Sequence, residues 1–449
     1  MAAGGGRPVV AAVEHVQGVP AAGPRIYEDA GGQTSRSAPC GRSRAPVMTA
    51  LPTQRILLLA SFAALTPMAV DMYLPAMPGL ADDLGVGMSA ASYSISAFFF
   101  GVAFGQLFAG PLSDRHGRKP VIAGGLILFI AASVAAALCD SFLLLMLARV
   151  TQAFGACAAT VAGRAIVRDC LDLREAARTF SLLALVGSIA PILAPMLGTL
   201  VTKFGDWRSI FQVMGGFALV VLVCQLAFLP ETRSAAAESQ SRSESPLRSY
   251  LTLLGNRRIL GYLLAASGNS ACLFTYIANS ATVLMKGYGL NPFAFSLAFG
   301  ANAVGLLIAN QSNRHMLKSR DVETVLRRSA VSAAIMGPLF LLFALTQIGG
   351  LPFLMLLLFA GVSSTAIVQA NVMAGALSVD PLRAGSTSAL YGATTFAFGT
   401  LAASLAATLE YGSGGGMAFI IALGFMLCSA SILLLIIQRP KSKMTGETV

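Results

Sequence analysis

The chain has 449 residues, of which 55% are hydrophobic and only 11% charged, with a mean hydropathy of +0.72. A soluble domain carries about 25% charged residues, so this composition excludes an ordinary soluble enzyme and describes a helical protein that crosses a membrane many times. The formal net charge of +11 fits the Lys and Arg excess of cytoplasmic loops in such proteins, and no nucleic-acid partner is expected from it.

Residues 1–54 are rich in Ala, Gly, Arg, Ser and Pro and hold no apolar core of a secretory signal. This stretch is expected to be disordered. Translation from Met48 would leave the usual short lead before the first apolar run, and that start is the favoured one. From Arg55 onward, twelve spans are expected at 56–76, 92–113, 120–139, 142–164, 179–202, 209–229, 259–285, 293–313, 329–347, 352–375, 386–409 and 416–437. The uncharged run from Ser329 to Val379 is divided by Gly349, Gly350, Leu351 and Pro352, a turn signal.

With a cytoplasmic N-terminus, twenty-one Lys and Arg residues fall in inner loops and the C-terminal tail, and three fall outside. That asymmetry satisfies the positive-inside rule with both termini in the cytoplasm, and it supports an even number of spans. The polar stretch 231–258 divides the chain into six-helix halves, 55–230 and 259–438, followed by a cytoplasmic tail at 439–449. A faint repeat links the halves. Asp172-Leu173-Arg174 follows span four as Asp380-Pro381-Leu382-Arg383 follows span ten, and Arg115-His116 echoes Arg314-His315. Weakly related halves of this kind are found in secondary transporters.

Between spans two and three, Gly105 to Pro120 reads GQLFAGPLSDRHGRKP. Gly105 and Gly110 leave room for a close helix approach. Gly117 permits a sharp turn. Arg115, Arg118 and Lys119 hold the loop on the cytoplasmic side, and Asp114 can accept hydrogen bonds from a helix N-terminus. The segment resembles the signature loop of the major facilitator superfamily, and the resemblance implies that this N-terminus belongs to span eleven, near Ser386. Asp71-Met72-Tyr73-Leu74-Pro75-Ala76-Met77-Pro78, Gly163-Arg164-Ala165-Ile166-Val167-Arg168-Asp169 and Pro230-Glu231-Thr232 narrow the likeness to the Bcr/CflA (bicyclomycin/chloramphenicol resistance) branch of drug:H⁺ antiporters. The resemblance runs from about Pro52 to Pro440. It implies an all-α fold of two pseudo-symmetric six-helix bundles and transport by alternating access.

Asp71 and Arg149 are the ionisable residues that fall inside expected spans. Such residues are by default functional. Asp71 lies 16 residues beyond Arg55, and Arg149 lies 15 from Arg164. At 1.5 Å per residue these are depths of roughly 24 and 22 Å, so a pair between them is expected. The expected proton-coupling group is Asp71, because a carboxyl balanced between burial and a nearby guanidinium can exchange protons near neutral pH. A static pair that only fixes the first helix is the alternative. The resemblance also matches Leu145, Arg149, Gln152 and Gly155 to a helix-four motif of the family.

On span five, Gly187, Ala190, Ala194 and Gly198 form a small-residue face beside Pro191 and Pro195. Candidates for a substrate cavity are Phe98, Asn269, Tyr276, Asn279, Asn302, Gln369 and Asn371, since amides within a bilayer face protein or water. No metalloprotease, serine-hydrolase or nucleotide-binding motif is present, so neither an enzyme nor an ATP-driven pump is expected. No cofactor or metal is expected, and the energy source is a proton gradient. The expectation is a monomeric exporter of small, largely apolar drugs in a bacterial inner membrane. Its partners are a small-molecule substrate, protons and the lipid bilayer. A transporter of a defined metabolite, such as an amino acid or purine, is the alternative, and a sensor without flux is a third reading.

Overall fold

An apolar run in hydrocarbon must close its own backbone hydrogen bonds, and a helix does so within one segment. The computed structural model describes residues 52–171, 173–231, 246–380, 383–409 and 414–436, and it is all-helical. The first half contains α1 Thr53–Asp71, α2 Met77–Asp83, α3 Met88–His116, α4 Arg118–Ala137, α5 Phe142–Cys170, α6 Leu173–Val201 and α7 Trp207–Phe228. The second contains α8 Pro246–Leu254, α9 Arg257–Ala281, α10 Pro292–Met316, α11 Val322–Thr346, α12 Gly350–Val379, α13 Ala384–Thr408 and α14 Gly415–Ser431. Twelve of these helices have 17 residues or more. Ten stretches among the described residues are long and apolar enough to cross a membrane. The two long helices outside that set are α6 and α9. In α9 the reason is composition: Ser267, Asn269, Ser270, Thr275 and Asn279 are all buried against neighbouring helices.

Helix starts follow their caps. Asp206, Asn256, Asn291 and Asp321 each accept a backbone N–H of the first turn, at α7, α9, α10 and α11. The span expected at 56–76 breaks early, with α1 ending at Asp71 and a short 3₁₀ turn at Leu74–Ala76 leading into α2. Pro75 and Pro78 lack the N–H groups that would have continued the helix. The expected linker 231–258 holds α8 in its second part, while 232–245, the tail 1–51 and residues 437–449 lie outside the described residues.

Small residues set the helix spacing. A Cβ on Gly155 of α5 would overlap the Gly125 carbonyl oxygen of α4, so these helices touch at the backbone. Leu143, Leu147 and Val220 are exposed, which suits side chains that face acyl chains. The halves meet where α3 packs on α13 and α6 on α10. Phe99 stacks on Phe274 with centroids 4.3 Å apart.

Two hydroxyl contacts between the halves lie at the end opposite the basic loops. Ser92 Oγ is 2.9 Å from Thr282 Oγ1, and Thr199 Oγ1 is 2.8 Å from Ser296 Oγ. Thr282 also donates to the Met88 carbonyl at 3.2 Å, and Ser296 to that of Pro195 at 3.2 Å. Ser92 and Ser296 each stand four residues into the helix that opens their neighbourhood, α3 and α10.

The loop between α3 and α4 is tied to its own half. Gly117 has φ +98°, as its turn requires. The Glu231 carboxylate accepts the Arg118 N–H at 3.0 Å and the Lys119 N–H at 3.1 Å, capping α4. Arg118 is buried, and its Nε donates to Asp169 at 3.0 Å. It is an internal strut between α4 and α5 as well as a topology-setting charge. Lys119 Nζ donates to the Leu226 carbonyl at 3.1 Å. Gly105 takes a close helix approach as expected, from α5, where a Cβ would crowd Cys157, whereas Gly110 meets nothing within 4 Å, which corrects the expectation for that glycine. The α3–α13 contact is made deeper, with Gln106 beside Gly392 and Phe99 beside Phe396. Asp114, expected to meet the start of span eleven, has its side chain outside the described residues. Gly117→Ala is expected to destabilise the protein by about 1–3 kcal/mol, the cost of a side chain in that backbone region. Thermal unfolding in detergent measures this, and an unchanged midpoint contradicts it.

Candidate functional site

The site begins where α1 stops. Asp71 is the last residue of the helix and is only 4% exposed. It borders a cavity of about 340 Å³ that lies between the halves. From the first half, α6 adds Gly187 and Pro191. From the second, α9 adds Leu273, Tyr276 and Ile277, and α12 adds Ala366, Gln369 and Ala370. The remaining wall is one face of α10: Phe299, Ala303, Leu306 and Asn310, at the i, i+4, i+7, i+11 period of a helix. Phe299 and Tyr276 stack at 5.3 Å and 15°. The cavity therefore runs along α10 from the level of Asp71, Tyr276 and Phe299 toward the basic end, where Asn310 lies and Gln369 is exposed.

Arg149 is not in this wall, and the expected pair with Asp71 does not form. No ion pair joins the two residues. Arg149 is 0% exposed. Its guanidinium carbon lies 4.6 Å from the Phe98 ring centroid, 5.1 Å from Tyr73 and 5.7 Å from Phe211. Nη1 donates to Gln152 Oε1 at 2.7 Å, and Gln152 Nε2 donates to Ser133 Oγ at 2.9 Å. The equal height was sound in one respect, since Tyr73 stands two residues from Asp71. The two side chains leave the end of α1 in different directions. Tyr73 turns into the first-half core, bonded to Ser94 at 2.9 Å, and Asp71 turns to the cavity. Ring faces hold the guanidinium there, each contact contributing about 0.5–2 kcal/mol.

Of the cavity candidates, Tyr276 and Gln369 line the space. The others do not. Phe98 lies beneath Arg149. Asn269 donates to the Thr365 carbonyl at 3.2 Å, Asn279 to those of Thr275 and Ala403 at 3.1 Å, and Asn371 to Asn313 Oδ1 at 2.7 Å. Asn302 supports the wall from behind, donating to the Tyr276 hydroxyl at 2.9 Å. Each of these amides donates its NH₂ to an oxygen on a neighbouring helix, so they fasten helices together.

Sequence reasoning missed Asn310, Phe299 and the role of Glu231. The helical period along α10 was the available signal for the first two. Glu231 stood in the sequence only as part of the Pro230-Glu231-Thr232 motif, and its capping of α4 had no local signal, because its partners are more than a hundred residues away. The small-residue face of α6 divides: Gly187 borders the cavity, and Gly198 takes α1, where a Cβ would overlap the Met72 carbonyl oxygen. No group of three or more His, Cys, Asp or Glu side chains among the described residues could hold a metal ion.

Residues 59–404 match the family model described as Major Facilitator Superfamily. The chain is 30% identical over 364 residues to a "Bicyclomycin resistance protein homolog" of Haemophilus influenzae, covering 81% of this chain and 91% of that protein. It is 36% identical over 248 residues to "Multidrug resistance protein MdtL" of Shigella dysenteriae, covering 54% and 62%. Among solved structures, a peptide transporter POT in complex with sulfate aligns with a TM-score of 0.69 at 14% identity, over 87% of this chain and 96% of that one. A D-xylose-proton symporter aligns at 0.67 and 14%, over 85% and 97%.

Proposed function

This chain belongs to the Major Facilitator Superfamily, and we propose that it exports small, largely apolar drugs in exchange for protons by alternating access. It is a multi-pass membrane transporter and not an enzyme. The observation that carries the export reading is Asp71, a carboxyl without an ion-pair partner among the described residues, at the deep end of a largely apolar cavity between the two halves, away from the basic loops. The names of the bicyclomycin-resistance and multidrug-resistance relatives support the cargo class.

In this reading the basic end faces the cytoplasm of a bacterial inner membrane, with both chain termini on that side. The Ser92–Thr282 and Thr199–Ser296 contacts then close the outer end while the cavity is reached from the cytoplasm. Cargo enters past Gln369 and Asn310. Rocking of the halves parts the hydroxyl contacts and opens Asp71 to the outside, where a proton binds. Return of the neutral, protonated site brings the proton to the cytoplasm. The loop carrying Asp114, Gly117 and Arg118 meets the start of α13 when the basic end closes. The protein works as a monomer without a cofactor.

Inverted membrane vesicles with an acidic lumen test this. A panel of neutral and cationic antimicrobial compounds, including chloramphenicol and ethidium, is expected to show accumulation of at least one compound that collapses when nigericin dissipates the pH gradient. No accumulation of any, or accumulation indifferent to nigericin, overturns the reading.

A further inference from the structure

A second cavity, of about 500 Å³, lies between the halves at the end opposite the basic loops. Its first-half wall is α2 and the turn into α3, with Ala81, Asp82 and Gly87. Its second-half wall is the start of α10 and a π-helical turn, Thr282–Gly287, that extends α9 and carries Met285 and Lys286. Two lining residues, Met88 and Pro292, also hold the hydroxyl contacts between the halves. The Met88 carbonyl accepts from Thr282 at 3.2 Å, and the Pro292 carbonyl accepts from Ser296 at 2.9 Å. The cavity and those contacts share their backbone, so parting of the halves takes the cavity apart as well.

Asp82 and Lys286 are the charged residues of this cavity, one from each half, and both are exposed. Among the described residues, neither side chain makes an ion pair or a hydrogen bond. The rest of the lining is apolar or glycine. α3 opens at Gly87, which has no side chain to cap the helix, and its positive end adds to the pull of Lys286 on an anion. A lone cation is drawn to Asp82 but repelled by Lys286, and a lone anion meets the reverse. A molecule carrying both charges on an apolar body satisfies the whole wall. We infer that this cavity binds a zwitterionic small molecule, its ammonium on Asp82 and its carboxylate on Lys286, and that the bound molecule clasps the halves and holds this end shut. A ligand shifts an equilibrium by the difference between its affinities for the two states, and here both walls meet only in the closed one. The binding stands by itself; that this end is the outer one, and that the ligand slows transport from outside, rests on the export reading.

The test uses the purified full chain in detergent, with L-phenylalanine as the zwitterionic probe, phenylalaninamide as the cation and N-acetylphenylalanine as the anion. Phenylalanine is expected to raise the melting temperature saturably, at concentrations where the other two do not. Asp82→Asn and Lys286→Gln each weaken its binding by about tenfold or more, the worth of one hydrogen bond to a charged group, while Asp82→Glu and Lys286→Arg retain it. Equal effects of the three probes, or a phenylalanine effect that survives both neutral substitutions, overturn the site. Glycerophosphoethanolamine carries the same two charges on a lipid headgroup, and stabilisation by it in place of phenylalanine assigns the cavity to lipid and overturns the soluble ligand. In inverted vesicles the outer end faces the lumen. Phenylalanine sealed in the lumen is expected to slow gradient-driven uptake by about twofold or more at saturation, and the same concentration outside the vesicles to leave it unchanged. Equal uptake with and without luminal phenylalanine overturns the holding of that end. The melting readout needs no flux, so vesicles that transport no compound remove the exporter and leave the site.

Discussion

Asp71→Asn is expected to reduce gradient-driven transport to the level of empty liposomes while the protein folds normally. The amide has the shape of the acid but cannot exchange a proton, so the step that couples the two flows disappears. Stability should not suffer. An acid at this depth costs about 2.5–3.5 kcal/mol on insertion scales, and Asp71 has no ion-pair partner among the described residues whose loss would offset the relief. The melting temperature in detergent is therefore expected to be equal or higher. Reconstituted protein with an imposed pH gradient reads the first outcome, and thermal unfolding reads the second. Undiminished gradient-driven flux in the Asn variant would falsify the coupling role.

Gly198→Val is the second large effect, and it acts from behind the site. The missing side chain of Gly198 lets α6 rest directly on the Met72 carbonyl, one residue from Asp71. The obstacle is backbone at the end of a helix, not the tip of a flexible side chain, so it cannot step aside. Overpacking of this kind costs about 1–3 kcal/mol, and relief requires the end of α1 to move away and take Asp71 with it. Both a lowered melting temperature and lost transport are expected, with Gly198→Ala affected in the same direction. Gly216→Val on α7, where a Cβ meets nothing within 4 Å, serves as the control and should leave both unchanged. A Gly198→Val protein with normal melting and normal transport would show that α1 is not seated there as described.

The readable features were those carried by local chemistry. Gly117 had to turn the chain between two helices, and it adopts φ +98°. The break between α1 and α2 could have been placed from Pro75 and Pro78 had the prolines been weighed against the length of the apolar run. Asp71 stood out because an acid in an apolar run is costly wherever it points. Its direction was another matter. α1 and α12 are apolar on almost every side, so periodicity does not say which face meets lipid, a neighbouring helix or the cavity. The same silence produced the wrong partner for Arg149. Depth along a helix follows from counting residues, but the angle around its axis does not.

Hydropathy, charge asymmetry and the α3–α4 loop motif were sufficient, from the chain alone, for an all-helical membrane protein of the Major Facilitator Superfamily, because each depends on residues close together in the sequence and on their transfer out of water. The rotation of each helix, the choice of aromatic rings over Asp71 as the surroundings of Arg149, the capping of α4 by Glu231 and the meeting of Asp71 with Tyr276 and Phe299 came from the assembled structure. Those contacts join segments about fifty to more than two hundred residues apart, and such preferences are settled by packing the whole bundle rather than by any stretch of it.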